Sequence, residues 1–434
     1  MTTAGHAASM GGEESFTMLA KTLYGLEDLL VSELQEIGAT DIRPGRRMVA
    51  FTGTLRTLYK ANVFLRTALR ILVPIDQFDA KNPDEIYDHL YNRVDWSRYF
   101  QPRDTFAVDT VVYSNTFTHS KFVAYRVKDA IADYFRDKEQ RRPNVSVTDP
   151  DLCFHIHIAD ERVTLALDAS GESLHKRGYR LNQTEAPINE VLAAGILLRA
   201  GWKGQCDFLD PMCGSGTFLI EAALIAANIP PGLFRERFAF ERWSNFDEDL
   251  FTEVMEDWEE RVFEHKIYGS DSNPKAIAMS RGNVRKAGVE RYVDLAVRRI
   301  EDYDSDLKPA ETGLLVTNPP YGERLRPEAL EELYQKIGST LKHIFAGWNA
   351  WIISSNIEEG FNAIGLKHFH KETLYNGALE CELRGYELFA GKRNDYVQEQ
   401  SEKGVWQRKR DHRMRQREER EDFRRSRKTY RKKQ

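Results

Sequence analysis

Phe208-Leu209-Asp210-Pro211-Met212-Cys213-Gly214-Ser215-Gly216-Thr217-Phe218 is the stretch that decides the fold. A short apolar run, Cys206–Leu209, reads as a buried strand, and Phe218–Ala227 has the length and apolar content of a helix. Between them, Gly214 and Gly216 let the backbone turn tightly and approach a ligand. The helix beginning near Thr217 aims free N–H groups and a positive dipole at that ligand, so an anionic group is expected there. A lone Gly-x-Gly is a common turn. Asp-Pro-x-Cys-Gly-Ser-Gly-Thr between a strand and a helix is much more specific. The third glycine of a Gly-x-Gly-x-x-Gly dinucleotide fingerprint is missing, which argues against a nicotinamide dehydrogenase.

Downstream, strand signals at 266–270, 293–297, 314–317 and 350–354 alternate with helical ones at 274–287 and 330–345. Asn376-Gly377 turns a hairpin between 371–375 and 379–388. This alternation implies an α/β, doubly wound, mainly parallel sheet with an antiparallel hairpin at its end, binding its ligands outside the carboxyl ends of the strands. Asp271 ends the second strand, where an acid can accept both hydroxyls of a ribose; it also stands where it could cap the next helix. Asp302, preferred to Glu301, follows the third strand and could accept from an adenine amino group.

The most specific motif is Leu314-Leu315-Val316-Thr317-Asn318-Pro319-Pro320-Tyr321-Gly322. Two prolines cannot continue a strand and stiffen the backbone just beyond it. The residue types suit an exocyclic amine on a nucleobase, whose lone pair is delocalised into the ring. The Asn318 side-chain oxygen and the Pro319 carbonyl could accept both amine hydrogens, localise the lone pair and aim it, while Tyr321 stacks on the base. An amide cannot take the proton, so its release to water is the simplest scheme. A base in a duplex must be flipped out to reach such a pocket.

Upstream, residues 1–15 read as a disordered leader with no signal-peptide pattern. Residues 16–75 alternate strand and helix signals as a small split βαβ unit. Residues 76–170 repeat the theme, with a helix over 121–135 and strands at 105–112, 145–147, 152–158 and 162–168. Residues 171–395 hold the doubly wound unit. Residues 396–434 are a basic tail: Glu402–Gln434 carries 15 Lys and Arg against 6 Asp and Glu, a balance of +9, leaving 47 against 61, a balance of −14, on the rest. An acidic body with a basic tail suits a polyanionic partner. Lys121 and Arg126 lie near one face of the 121–135 helix, and Lys176, Arg177 and Arg180 sit between domains, so these five are the candidate RNA contacts, with Arg177 equally placed to pair with an acid. Four scattered cysteines without CxxC spacing argue against a zinc site, no metal is expected, and a reducing compartment fits them. No run approaches the roughly 20 apolar residues of a membrane span. The length allows two or three domains and needs no second copy to bury a core, so a cytoplasmic monomer is expected.

Asp210-Pro-Met-Cys-Gly-Ser-Gly-Thr together with Asn318-Pro-Pro-Tyr-Gly-Glu-Arg resembles the class I methyltransferases with an (Asp/Asn)-Pro-Pro-Tyr motif. Lys176-Arg-Gly-Tyr-Arg and Glu185-Ala-Pro-Ile-Asn-Glu are similar to the start of their THUMP-containing subgroup, and within it to the bacterial large-subunit ribosomal RNA guanine-N2 methyltransferases. The resemblance runs from about Phe16 to Asn394. It implies a ferredoxin-like unit (16–75), an RNA-gripping THUMP domain (76–170) and a Rossmann-like catalytic domain (171–395). It implies S-adenosylmethionine as cofactor, with Asp210, Gly214 and Gly216 holding it, Asp271 and Asp302 on its ribose and adenine, and residues 185–188 lining its site. Asn318, Pro319 and Tyr321 would hold the base, and ribosomal RNA or a pre-ribosomal particle would be the partner. The same motif serves adenine N6, so that substrate remains open. A non-catalytic assembly factor would show a decayed cofactor loop or lack Tyr321, and neither is seen.

Overall fold

The computed structural model describes residues 14–117, 119–182, 187–320, 327–355 and 359–390. The leader up to residue 13, Glu185, Ala186, Tyr321 and the basic tail lie outside these residues.

The front half runs β1 (Phe16–Thr22), α1 (Glu27–Glu36), β2 (Thr40–Gly45), β3 (Met48–Gly53), α2 (Leu55–Phe64), β4 (Ala68–Asp79), α3 (Pro83–Arg93), β5 (Thr105–Tyr113), α4 (Ser120–Glu139), β6 (Asn144–Val145), β7 (Leu152–Ala159) and β8 (Arg162–Asp168). The two small units anticipated here share one eight-stranded sheet, in the order β2-β3-β1-β4-β8-β7-β5-β6. Strand β4 fuses them. Its first five residues pair with β1, and Leu72–Asp79 pair antiparallel with β8. Pro74 is tolerated because it lies past the end of the β1 pairing. One face of this sheet is apolar at every second residue, as in β1, where Phe16, Met18 and Ala20 are buried.

The second half comprises α5 (Glu190–Arg199), β9 (Asp207–Asp210), α6 (Thr217–Ala226), α7 (Glu248–Glu256), β10 (Ile267–Asp271), α8 (Pro274–Lys286), β11 (Val293–Val297), β12 (Gly313–Thr317), α9 (Pro327–His343), β13 (Asn349–Ser354), α10 (Glu359–Ile364), β14 (His370–Asn376) and β15 (Leu379–Glu387). The sheet order is β11-β10-β9-β12-β13-β15-β14, parallel from β11 to β13, with β15 antiparallel to both its neighbours. The chain order reverses between β9 and β12, which places the switch-point crevice beyond Asp210 and Thr317. Alternate residues feed the two faces. Phe208, Leu314 and Val316 join the core under α5, α6 and α8, while Leu209 and Leu315 join that under α9 and α10.

Three features were not anticipated. Strand β2 is polar and mostly exposed, so it carries no alternation to read. The strand expected at 145–147 shrinks to Asn144–Val145, which pair with Thr105 and Phe106 at the start of β5; Val147 lies 82% exposed. The segment between α6 and β10 leaves its own domain and packs on the front one. There Phe238, Phe240, Phe246 and Phe251 cluster around Tyr59 of α2, with Tyr59 and Phe240 stacked at 4.5 Å. Ion pairs rim this contact, Lys60 to Asp257 at 2.6 Å and Arg242 to Asp149 at 3.1 Å. The catalytic half is thereby strapped to both front units. The four cysteines are free thiols; Cys213 and Cys381 are buried, Cys153 and Cys206 half-buried. No described helix is long and apolar enough to cross a membrane.

Candidate active site

Strand β9 ends on Asp210, 2% exposed, beneath the glycine loop. Its Oδ1 accepts from the Met212 N–H at 3.1 Å and from the Thr317 hydroxyl at 2.7 Å. Gly214 and Gly216 have φ of 54° and 86°, a left-handed backbone that side chains resist. Gly216 is the N-cap of α6 and offers no side-chain cap, so the first N–H groups of a ten-residue helix stay available to a ligand. A Cβ on Gly216 would stand 3.2 Å from the Ser280 hydroxyl of α8, which itself donates to the Gly214 carbonyl at 2.7 Å.

Asp271 ends β10 facing the same loop. Its two oxygens accept from the N–H groups of Gly214 (3.0 Å) and Asn273 (2.9 Å), so it supports the loop, while the cap of α8 that it stood close enough to supply is Asn273, whose side chain accepts from the Lys275 N–H at 2.9 Å. A carboxylate has about four lone-pair positions, so both oxygens can still accept from ribose hydroxyls. Asp302 lies exposed on a 3-10 turn after β11 and accepts only from the Arg299 N–H, at 3.2 Å.

Asn318 follows β12 directly. Its Oδ1 is buried and has no hydrogen-bond partner among the described residues. Buried acceptors are nearly always satisfied, so an unpaired one at a sheet's carboxyl end is a place prepared for a donor. Pro319 is buried and Pro320 half-buried beside it. Thr317, the residue before Asn318, ties this motif to Asp210 and thus to the glycine loop.

Burial pushes the Asp210 carboxyl up to about 7, against its donors Thr317 and Met212 and aided by the charge of Asp271. The folded protein therefore keeps this proton to about pH 7, whereas the unfolded chain releases it near pH ~4. Between these values the folded state binds more protons, so this group's contribution to stability falls as pH rises. Denaturant unfolding at pH 4.5, 5.5 and 6.5 should show Asp210→Asn removing a downward slope of up to about 1.4 kcal/mol per pH unit. Parallel pH profiles for the two proteins would refute this.

Of the two readings held equally for Arg177, RNA contact or pairing with an acid, the structure gives the pair; Arg180, anticipated as an RNA contact, is corrected. Arg177 is 2% exposed; its guanidinium donates to the carbonyls of Leu174 (2.9 Å) and Arg66 (2.6 Å) and pairs with the buried Glu221 of α6 at 3.4 Å. Arg180 is turned inward onto the cofactor loop, donating to Glu190, Ser215, Thr217 and the Ile188 carbonyl. The Arg177 guanidinium is buried, and that of Arg180 is committed to these four acceptors. Arg126 is half-committed: it pairs with Asp84 at 2.8 Å and lies over the Tyr87 ring. Lys121 is exposed on α4 beside exposed Phe122 and Tyr125, and Lys176 is exposed with a surface ion pair to Glu172. Sequence reading also missed Thr317, Ser280 and Asn283. The last two are polar residues on the buried stripe of α8, with Ala276, Ile277 and Val284, and that misfit with an apolar face was the available signal.

Residues 177–385 match the model of an RMKL-like methyltransferase domain, residues 80–168 that of a THUMP domain, and residues 17–72 that of an RlmL ferredoxin-like domain. SMU.472, described as a methyltransferase and solved with SAH, is 32% identical; the match covers 88% of this chain and 99% of that one, with a TM-score of 0.76. The chain belongs to the THUMP-bearing, RMKL-like methyltransferases. A Clostridium difficile 630 protein described as a methylase is 31% identical over 88% of this chain and 100% of its own, with a TM-score of 0.77. The Ribosomal RNA large subunit methyltransferase K/L of Methylococcus capsulatus is 42% identical over 370 residues, 83% of this chain but 49% of that protein. Its counterpart from Shewanella sp. (strain ANA-3) is 40% identical over 84% of this chain and 52% of its own. The chain thus spans about half the length of the curated relatives it matches.

Proposed function

We propose that this protein transfers a methyl group from S-adenosylmethionine to the exocyclic N2 amine of a guanine in large-subunit ribosomal RNA. The observation that carries the reading is the unpaired Asn318 Oδ1, held at the switch-point crevice by a strand whose last residue bonds the acid under the glycine loop. The relatives named for ribosomal RNA methylation support the substrate.

The cofactor's carboxylate would lie at the N-terminus of α6 against Gly214 and Gly216, its ribose on Asp271 and its adenine near Asp302. Bound there, it supplies an electrophilic methyl carbon on a sulfonium. Asn318 Oδ1 and the Pro319 carbonyl accept the two amine hydrogens, which turns the nitrogen lone pair outward, and Tyr321 stacks on the base. Held so, the amine would be aimed at the methyl carbon that the cofactor would supply, and with no base in the motif the surplus proton would leave to water. Residues 16–170 grip the RNA, with Lys121 as a surface contact, residues 171–395 carry the chemistry, with Lys176 as a contact beside the junction, and residues 396–434 add salt-dependent phosphate affinity. The protein acts as a monomer in the cytoplasm, on ribosomal RNA or a pre-ribosomal particle.

The test is transfer of labelled methyl to ribosomal RNA from cells lacking the protein, followed by nucleoside analysis. Label on guanine N2 is the expected result. Label on adenine N6 would keep the fold and overturn the substrate, an outcome given weight by a Listeria monocytogenes relative, 30% identical, described as an N6-adenine-specific DNA methylase. Cofactor binding without transfer to RNA or particles would favour an assembly factor.

A further inference from the structure

We infer that Arg180 and Asn283 are positioning residues that shape the cofactor loop from outside, by tying it to the segment that joins the THUMP domain to the catalytic domain. The inference rests on the reading of the glycine loop as the S-adenosylmethionine site.

Arg180 spends its guanidinium on four acceptors. Nε donates to Glu190 Oε1 at 2.7 Å, Nη1 to the Ser215 hydroxyl at 3.1 Å, and Nη2 to the Thr217 hydroxyl at 3.0 Å and the Ile188 carbonyl at 3.2 Å. Ser215 and Thr217 flank Gly216, the residue that opens α6. The planar fork therefore fixes both sides of the turn whose N–H groups face the ligand, a task that a lysine's single ammonium cannot reproduce. Glu190 is itself 4% exposed at the start of α5, so the fork is anchored in a helix and not in another loop.

Asn283 makes the second tie from the opposite side. Its side chain is 1% exposed and fully used: Nδ2 donates to the carbonyls of Asn182 and Ser215, both at 2.9 Å, and Oδ1 accepts from the N–H groups of Leu181 (2.9 Å) and Asn182 (3.3 Å). Ser215 is thus held twice, by its hydroxyl through Arg180 and by its carbonyl through Asn283. Neither residue is placed to touch the reacting atoms. Both act through the loop; Arg180 belongs to the stretch 180–182 that enters from the RNA-gripping half, and Asn283 binds it at Leu181 and Asn182. The loop's shape depends on that interdomain segment being seated.

The effect belongs on cofactor binding and not on RNA. Calorimetry with S-adenosylhomocysteine should show Arg180→Ala weakening its affinity at least ten-fold, Arg180→Lys nearly as much, and Asn283→Asp several-fold. Filter binding of ribosomal RNA should stay within about two-fold of the wild type. In steady state the KM for S-adenosylmethionine rises while kcat at saturation changes little. Thr217→Val alone should weaken binding modestly and, combined with Arg180→Ala, add less than its own cost, since both remove one shared bond. Full additivity would show that the bond does not act. Wild-type binding with unchanged affinity in Arg180→Ala and Arg180→Lys overturns this inference alone. An RNA-affinity loss with intact cofactor binding overturns it in favour of a phosphate contact. Absence of binding by the wild type overturns both this inference and the function it rests on.

Discussion

Asn318→Ala should lower kcat by about 10²- to 10³-fold, the range for removing one preorganised polar group from a transition state, while the affinity for S-adenosylhomocysteine stays within two-fold. The split follows from where the side chain stands. Its Oδ1 has no partner among the described residues, so no described hydrogen bond of the fold is lost with it. The bond between Thr317 and Asp210 that ties the strand end to the cofactor loop does not involve it. What the variant loses is the acceptor for an amine hydrogen at the moment the lone pair must localise. Asn318→Asp tests the chemistry further. A carboxylate also accepts, so it should retain more activity than alanine if accepting a hydrogen bond is the role. Steady-state methyl transfer with saturating cofactor and RNA gives kcat, and single-turnover transfer isolates its chemical step. Equal kcat for Asn318→Ala and wild type would end the proposed mechanism, and a cofactor-affinity loss as large as the rate loss would make Asn318 part of the loop scaffold.

The doubly wound half was legible because its strands are short, apolar and bounded by glycine turns, and because Asp210, Asp271 and Thr317 all end strands that alternate with helical segments. The front half was legible as two units but not as one sheet. The fusion runs through antiparallel pairing of β4 with β8, ninety residues later in the chain, and nothing local marks such a partner. The strap formed by residues 238–257 was invisible for a related reason. Its aromatic residues find their partner, Tyr59, in another domain, so no periodicity within the segment reveals the contact. The arginines of the interdomain segment misled for an electrostatic reason. A basic cluster in a loop ordinarily faces water, and only the three-dimensional placement of Glu221 and Glu190, both buried, shows which charges have partners inside. Lys176, with no such acid, remains at the surface.

That placement yields the largest stability effect expected of any single change described. Arg177→Ala should destabilise the protein by about 3–5 kcal/mol, the cost of breaking a buried ion pair by removing one partner. Glu221 is fully buried, and its Oε1 accepts from Arg177 and from the Tyr179 hydroxyl at 2.8 Å, the shorter and firmer of the two bonds; its Oε2 has no partner. Without the guanidinium, that carboxylate would keep one hydrogen bond, from a neutral hydroxyl, with the Arg66 charge nearby. The Leu174 and Arg66 carbonyls would lose their donor as well. Arg66 belongs to the front unit and donates in turn to the carbonyls of Leu224 and Ile229 around the end of α6, so the same change loosens the joint between the two halves. Denaturant unfolding should show the loss, and limited proteolysis should cut first within residues 170–182. Arg177→Met with Glu221→Leu removes both charges together and should recover most of the stability, because apolar replacement of a whole buried pair is commonly near neutral. RNA affinity per folded molecule should not change. A stable Arg177→Ala protein with weakened RNA binding would restore this arginine to the surface role that its sequence context first suggested.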